Sequence, residues 1–250
     1  MTAQFAIPAT TFVLREIIQR RVKSAYGSLA APTVSVEPPP RPPATPTGAG
    51  APPPQPEPAG LYLFLHHVAL SAAWRNMYEV QLKPGEGQTE GTRIGASPLA
   101  VDLHYMLAAT GADLEREVLL GLGIAALNRR AVVPRPLIQS ILGGIAAPEP
   151  PTRLLDRLTA EPLHLPESQP QRITVSQAPV DVDLSTKIWS SLQSPMRPCA
   201  HFLVTTVFLD LGDSPTVKDV TKAQVGVRPE PTPAKTLPEG DTMTITDGGA

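Results

Sequence analysis

Residues 98–111 constrain the fold more than any other part of the chain. Apolar and mixed positions alternate there, as they do in a β-strand whose two faces meet different surroundings. One face would be wholly apolar: Leu99, Val101, Leu103, Tyr105 and Leu107. A strand of this kind belongs in the middle of a sheet, and residues 113–128 follow it with the apolar stripe of a covering helix. Asp113 is the predicted N-cap of that helix.

Further strands and helices are predicted on both sides of this central strand. Strands are expected at residues 33–37, 61–68, 78–82, 172–177 and 199–211, and helices at residues 10–26, 113–128, 136–142 and 181–192. A glycine-rich stretch at 84–95 is predicted to be a hairpin loop, because it lacks the lysine and hydroxyl ending of a phosphate-binding loop. The predicted fold class is α+β, with a mixed, mostly antiparallel sheet flanked by helices.

Proline placement predicts which parts of the chain do not fold. Eleven of the 31 prolines lie in residues 38–59, which carry almost no apolar side chains and are expected to form a disordered or polyproline-like insertion. Residues 212–250 are rich in proline, threonine and glycine, and only 224–227 resembles a strand. We therefore expect one domain over residues 1–211 and a C-terminal tail over 212–250.

Charge and cysteine content exclude several classes of partner. The chain has 21 basic and 23 acidic side chains and a net charge of −2, so it offers no electrostatic surface for nucleic acid or an anionic membrane. No apolar run is long enough to cross a bilayer. The single cysteine, Cys199, cannot form an internal disulfide and fits a buried strand position better than a nucleophile. A cytoplasmic protein is expected.

A search for catalytic chemistry finds one weak candidate. His66, His67, His104 and His201 all lie on predicted strands, with Asp102 close to His104, and could converge on a metal if these strands are neighbours. Their spacing matches no established metal motif, and the chain has no Gly-x-Ser-x-Gly nucleophile sequence. The sequence therefore predicts a protein that is not an enzyme and holds no cofactor or metal.

The cluster Trp74-Arg75-Asn76 follows a buried strand and supports two hypotheses. Tryptophan and arginine are frequent interface anchors, which favours a partner-binding corner, whereas a structural turn would bury the indole and use the polar groups on loop carbonyls. We interpret Trp74 as a structural anchor, and Arg75 and Asn76 as candidate contacts with a partner.

Three stretches together resemble the tail-cap or tube-terminator proteins of contractile injection systems, which are phage-tail-like particles. They are Leu-Tyr-Leu-Phe-Leu at 61–65 with Ala-Ala-Trp-Arg-Asn at 72–76, Pro-Leu-Ala-Val-Asp-Leu-His-Tyr-Met-Leu at 98–107, and Ile-Trp-Ser-Ser-Leu-Gln-Ser-Pro at 188–195 with Arg197. The resemblance implies a homohexameric ring that ends the inner tube and the sheath and stops their polymerisation. It implies no catalytic residues, and it adds Arg197 as a candidate subunit or sheath contact and Trp189 as a structural anchor.

Two other functions fit the residues. The proline-rich segments suit a non-enzymatic adaptor that recruits partner domains, and the strand histidines suit a metal hydrolase. The body predicted here, with strand-capable segments and extended arms, suits a subunit that joins a repeating assembly by edge pairing.

Overall fold

The structure is a computed structural model that describes residues 5–41, 56–74, 82–84, 90–93, 99–146, 148, 151–209, 216–218, 224–226 and 242–244. The chain divides into two compact units. The first comprises Met1–Tyr78 and Ser97–Leu211, and the second comprises Glu79–Ala96 and Gly212–Ala250. None of the described helices is both long enough and apolar enough to cross a membrane.

In its described residues, the first unit is a five-stranded sheet with four α-helices and one 3-10 helix. In chain order its elements are α1 (Ala6–Tyr26), β1 (Val34–Ser35), β2 (Gly60–Leu70), β5 (Leu99–Thr110), α2 (Glu115–Arg129), α3 (Arg135–Leu142), the 3-10 helix (Leu154–Ala160), β6 (Thr174–Ala178), α4 (Val182–Ser191) and β7 (Cys199–Leu209). The strand order is β1-β2-β5-β7-β6; the β1–β2 pair is parallel and the other pairs are antiparallel. The predicted α+β class and the mostly antiparallel sheet are confirmed.

The strand at 98–111 is central, as predicted. All five of its predicted apolar positions join one core with the helices α1, α2 and α3, and this side is called the inner face of the sheet. Tyr105 is completely buried in that core, and its hydroxyl lies 2.7 Å from that of Thr11 on α1. Burial raises the pKa of this phenol. The opposite side of the sheet, called the outer face, is covered in part by α4.

Two helices start at positions that differ from the prediction. Helix α1 begins at Ala6, because the Thr10 hydroxyl donates to the Ala6 carbonyl inside the helix and does not cap it. Helix α2 begins at Glu115, since Asp113 has a positive φ of 53° and lies outside the helix. The start of α3 at Arg135, next to Pro136, and its end at Gly143 agree with the prediction.

The apolar stripe predicted for α2 is also partly wrong. The sequence pattern puts Leu114, Val118, Leu119, Leu122 and Ala126 on this stripe. Leu114 and Val118 are 68% and 56% exposed, whereas Gly123 and Leu127 are buried. A β-carbon on Gly123 would lie 2.8 Å from a methyl carbon of Leu107, so the glycine is what lets α2 approach β5 this closely. The helix is therefore rotated from the orientation that its leucines suggest.

The described residues of the second unit form short strands. Strands β3 (Leu82–Pro84), β4 (Glu90–Arg93) and β8 (Thr216–Lys218) form an antiparallel sheet, and β9 (Gln224–Gly226) pairs with β10 (Thr242–Thr244). Strand β4 lies inside the stretch 84–95 that was predicted to be a hairpin loop, so that prediction is partly wrong, whereas β9 matches the strand expected at 224–227. Strands β4, β8 and β10 were not predicted, because three or four residues carry too little alternation to be recognised. Residues 78–81 of the predicted strand at 78–82 lie outside the described residues.

Candidate functional site

The outer face carries most of the side chains singled out from the sequence. Trp189 of α4 is 2% exposed and packs on Met106 and Ala108 of β5, with Cys199 half-buried beside them. This position suits the predicted structural anchor, and it places Cys199 among apolar groups as a small hydrophobic residue. Helix α4 thus closes one end of the outer face.

Trp74 lies at the opposite end of the outer face. Its ring meets the ring of Phe208 edge-on, with centroids 5.3 Å apart, and Phe208 is completely buried. The indole is half-buried, which suits a structural anchor. Arg75 and Asn76 lie outside the described residues, so their role as partner contacts stays a prediction.

The four histidines come together between these two tryptophans. The ring centroid of His66 lies 5.5 Å from that of His201 and 6.2 Å from that of His104. The ring centroids of His67 and His104 are 5.2 Å apart. A bulge in β2 after Leu65 sets His66 and His67 side by side opposite β5. His201 is only 7% exposed, and neither ring nitrogen has a partner among the described residues.

This environment favours neutral imidazoles. Burial, followed by repulsion from His201, His104 and His67, lowers the pKa of His66 from 6.5 to about 4. Burial also lowers the pKa of His104 and of His201. Within the described part of the chain, no set of three or more His, Cys, Asp or Glu side chains has a geometry that could hold a metal ion, although Asp102 stands near His104 in sequence. The cluster that would have carried the metal-hydrolase hypothesis lacks a ligand set.

Arg197 is buried. Its side chain is 6% exposed, and its guanidinium donates to the Pro40 carbonyl at 3.0 Å, to Ser194 Oγ at 2.6 Å and to both carboxylate oxygens of Glu57 at 2.5 and 3.2 Å. These four residues are called the Arg197 clamp. The clamp joins the two ends of the proline-rich insertion to the start of β7. The role of Arg197 in a subunit or sheath contact stays a prediction.

The clamp fixes the two ends of the stretch at 38–59, which was expected to be disordered or polyproline-like. Residues 38–41 and 56–59 are described and are bonded to the body, because the Thr110 hydroxyl also donates to the Pro58 carbonyl at 2.8 Å. Glu57 was not predicted to make a contact. Its position as the only acidic residue in the insertion was a signal that could have identified it. Residues 42–55 lie outside the described residues.

Comparison with known proteins identifies the family. A family model described as the Pvc16 N-terminal domain matches residues 9–223. The chain belongs to this family. The resemblance to terminator proteins of contractile injection systems is confirmed at the level of the family. No curated protein matches the chain.

Two solved structures are similar to the chain. The sheath/tube terminator of the PVC extracellular contractile injection system, in its extended state, is 11% identical with a TM-score of 0.48; the match covers 89% of this chain and 64% of that one. The tube-terminating cap of the anti-feeding prophage is 13% identical with a TM-score of 0.46, and the match covers 86% of this chain and 60% of that one. This member of the Pvc16 N-terminal domain family therefore spans less than two thirds of the length of either relative.

Proposed function

We propose that this protein is a structural terminator of a contractile injection system, which ends the inner tube and the sheath and stops their polymerisation. The observation that carries the proposal is the match to the Pvc16 N-terminal domain over residues 9–223, which includes all three stretches of the sequence resemblance. The two similar solved structures are themselves a sheath/tube terminator and a tube-terminating cap. The partners proposed are tube and sheath proteins and other copies of this chain in a homohexameric ring.

A structural role without catalysis agrees with the outer face. The imidazoles are packed against one another and against the sheet, the half-buried Cys199 lies beside Trp189, and the described residues hold no metal-ligand set. The adaptor function would rely on the proline-rich insertion, and its two ends are bonded to the body by the Arg197 clamp. We place the protein in the cytoplasm until it joins the particle.

The test is particle assembly with tube and sheath proteins. With the wild-type chain, electron micrographs should show particles of uniform length, and without it they should show overlong or uncapped tubes. Light scattering should show a hexamer at high concentration or on the tube end. Monomers at every concentration, even with tube protein present, would contradict the ring.

The contact prediction for Arg75 is tested in the same assay. Arg75→Ala should fold normally by circular dichroism but yield overlong tubes, because charge-assisted hydrogen bonds to the neighbour are lost. Trp74→Ala serves as the comparison, since it should lower stability instead. Normally terminated particles from a well-folded Arg75→Ala would remove Arg75 from the interface.

A further inference from the structure

The four histidines form a cluster that gains positive charge in acid. His66 and His67 lie on β2, His104 on β5 and His201 on β7, and each ring centroid is within 5.5 Å of at least one other imidazole. Asp102 carries the only carboxylate on these three strands, which have no lysine or arginine. Full protonation would therefore set four positive charges against one negative charge, and like charges at these distances repel one another.

His201 is the member of the cluster that is least able to hold a charge. It is 7% exposed, and neither ring nitrogen has a hydrogen-bond partner among the described residues. A protonated imidazole has two N–H donors, so a charge here would be buried with both donors unsatisfied. The ring of His66, which meets it edge-on, would add a second charge beside it. Protonation of His201 therefore requires that water reach the ring.

The same surroundings make the imidazoles poorer bases in the packed state than in water. Burial and then repulsion within the cluster lower the pKa of His66 to about 4, and burial lowers the pKa of His104 and of His201. An imidazole exposed to water regains a pKa of about 6.5, so a state with the cluster exposed binds more protons. As the pH falls from 6.5 toward 4, the exposed state thus becomes more favourable relative to the packed state.

Helix α4 is the cover next to His201, and it is loosely packed. A cavity of about 300 Å³ lies between α4, β6 and β7, and its lining includes His201, Val182 and Ser185. This volume is sufficient for several water molecules. Only Ser185 and Trp189 of the 10 residues of α4 are buried. Water therefore has the shortest route to the buried imidazole if α4 moves away.

The rest of the first unit is held by many more contacts. Strand β5 is paired with β2 on one side and with β7 on the other, and α1, α2 and α3 cover the inner face in one large core. The buried residues of the cluster under α4 are Met106, Ala108 and Trp189. Local opening takes the least free energy where the fewest buried contacts are lost, so α4 should open before the sheet.

The other charged groups around the cluster are already paired. On α4, Asp183 and Lys187 pair with each other at 2.7 Å and are 69% and 71% exposed. Strand β6 carries no charged side chain, and Arg197, between α4 and β7, is paired with Glu57. Among the described elements packed around the cluster, only Asp102 is placed to offset the charge of the imidazoles.

We propose that the four histidines and α4 form an acid-sensitive closure of the outer face. At neutral pH, α4 covers uncharged imidazoles. On acidification the cluster takes up protons, α4 leaves the sheet, and Trp189 and Cys199 become exposed to water. The sheet and the core on its inner face stay folded. The closure does not depend on the terminator function, because it follows from contacts within one chain.

The fluorescence of Trp189 tests the opening directly. The chain has two tryptophans, so Trp74→Phe leaves Trp189 as the only one and keeps an aromatic ring at the Phe208 contact. In this full-length variant the emission maximum should move to longer wavelength with a midpoint between pH 6.5 and about 4. Far-UV circular dichroism should change by no more than the loss of one short helix. An emission maximum that stays constant down to about pH 4, or that moves only with global unfolding, would overturn the proposal.

Glutamine variants in the same background test whether the cluster drives the opening. His201→Gln and His66→Gln each keep a polar side chain that takes up no proton, so the midpoint should fall by at least about one pH unit. His164→Gln is the matched control, because His164 is the fifth histidine and lies between the 3-10 helix and β6, outside the cluster. Its midpoint should be unchanged. Unchanged midpoints in both cluster variants would remove the histidines from the mechanism and overturn the proposal.

Hydrogen exchange of the wild type gives a readout that needs no substitution. Protection factors, corrected for the intrinsic effect of pH on exchange, are compared at about pH 7 and about pH 5. The amides of α4 should be less protected at the lower pH, whereas those of α1 should keep their protection. Equal protection of α4 at both pH values would contradict the closure. Simultaneous loss of protection in α1 and α4 would indicate global acid unfolding and would also overturn the proposal.

Discussion

Replacing Arg197 with alanine tests whether the Arg197 clamp holds the insertion to the body. The substitution removes four hydrogen bonds and leaves the Glu57 carboxylate without its partner. Loss of one partner of a fully buried ion pair costs about 3 to 5 kcal/mol. Glu57 keeps 26% of its side chain exposed and regains some hydration, so we expect a loss of about 2 to 3 kcal/mol. The thermal midpoint should fall by about 4 to 12 °C.

The assay is urea and thermal denaturation followed by circular dichroism. Lys187→Ala is the matched control, because the Lys187–Asp183 pair is about 70% exposed on both sides and its loss should cost under about 1 kcal/mol. In a Glu57→Ala background, Arg197→Ala should cost at least about 1 kcal/mol less than in the wild type, since its main partner is absent. An Arg197→Ala variant within about 0.5 kcal/mol of the wild type would refute the clamp as a stabilising contact.

Four further expectations concern the Arg197 clamp, the packing of α4 and α2, and the titration of His66. Deleting residues 38–59 should lower the free energy of unfolding as much as Arg197→Ala does. Deleting only residues 42–55 keeps both ends of the Arg197 clamp and should leave that free energy unchanged, as urea denaturation would show. Trp189→Ala should cost about 3 to 5 kcal/mol in urea unfolding, because it leaves a cavity under α4. Gly121→Ala should raise the free energy of unfolding by about 0.5 to 1 kcal/mol, because alanine favours a helix and its methyl group meets no neighbour. Gly123→Ala should not raise it, because its methyl group would collide with Leu107. Equal thermal midpoints for the two variants would contradict this. Because the folded pKa of His66, about 4, lies below the unfolded 6.5, stability should be complete above pH 6.5 and fall as the pH drops from 6.5 toward 4, and an NMR titration of His66 near 6.5 would contradict this.

The sequence predicted the elements whose pattern is long and local. The alternation of residues 98–111 identified the central strand and its inner-face side chains, and Pro136 with Gly143 bounded α3, because these signals need only near neighbours. The rotation of α2 could not be predicted from the sequence. It depends on the close approach of Gly123 to Leu107 of β5, and the helix pattern alone does not show which strand the helix will contact.

The sequence named many residues of the candidate site but did not predict how they are arranged. The histidines were predicted on strands and would converge if those strands were neighbours; they do converge, because the strand order brings β2, β5 and β7 together. The pairing of Arg197 with the Glu57 carboxylate, 140 positions away, was not predicted, because such a contact is visible only in the folded chain. The two irregularities in the sheet, after Leu65 and after Val101, likewise have no local sequence signal.

The bulge in β2 makes His66 an additional residue that the strand absorbs. Leu65 pairs with Tyr105 and His67 pairs with His104, so two steps along β2 match one step along β5. A chain lacking His66 would continue the same alternation, with His67 on the outer face and Val68 on the inner face. A single-residue deletion in a buried strand normally turns every later side chain over. At this position it would regularise the strand, keep Val68 and Leu70 on the inner face and remove one imidazole from the cluster.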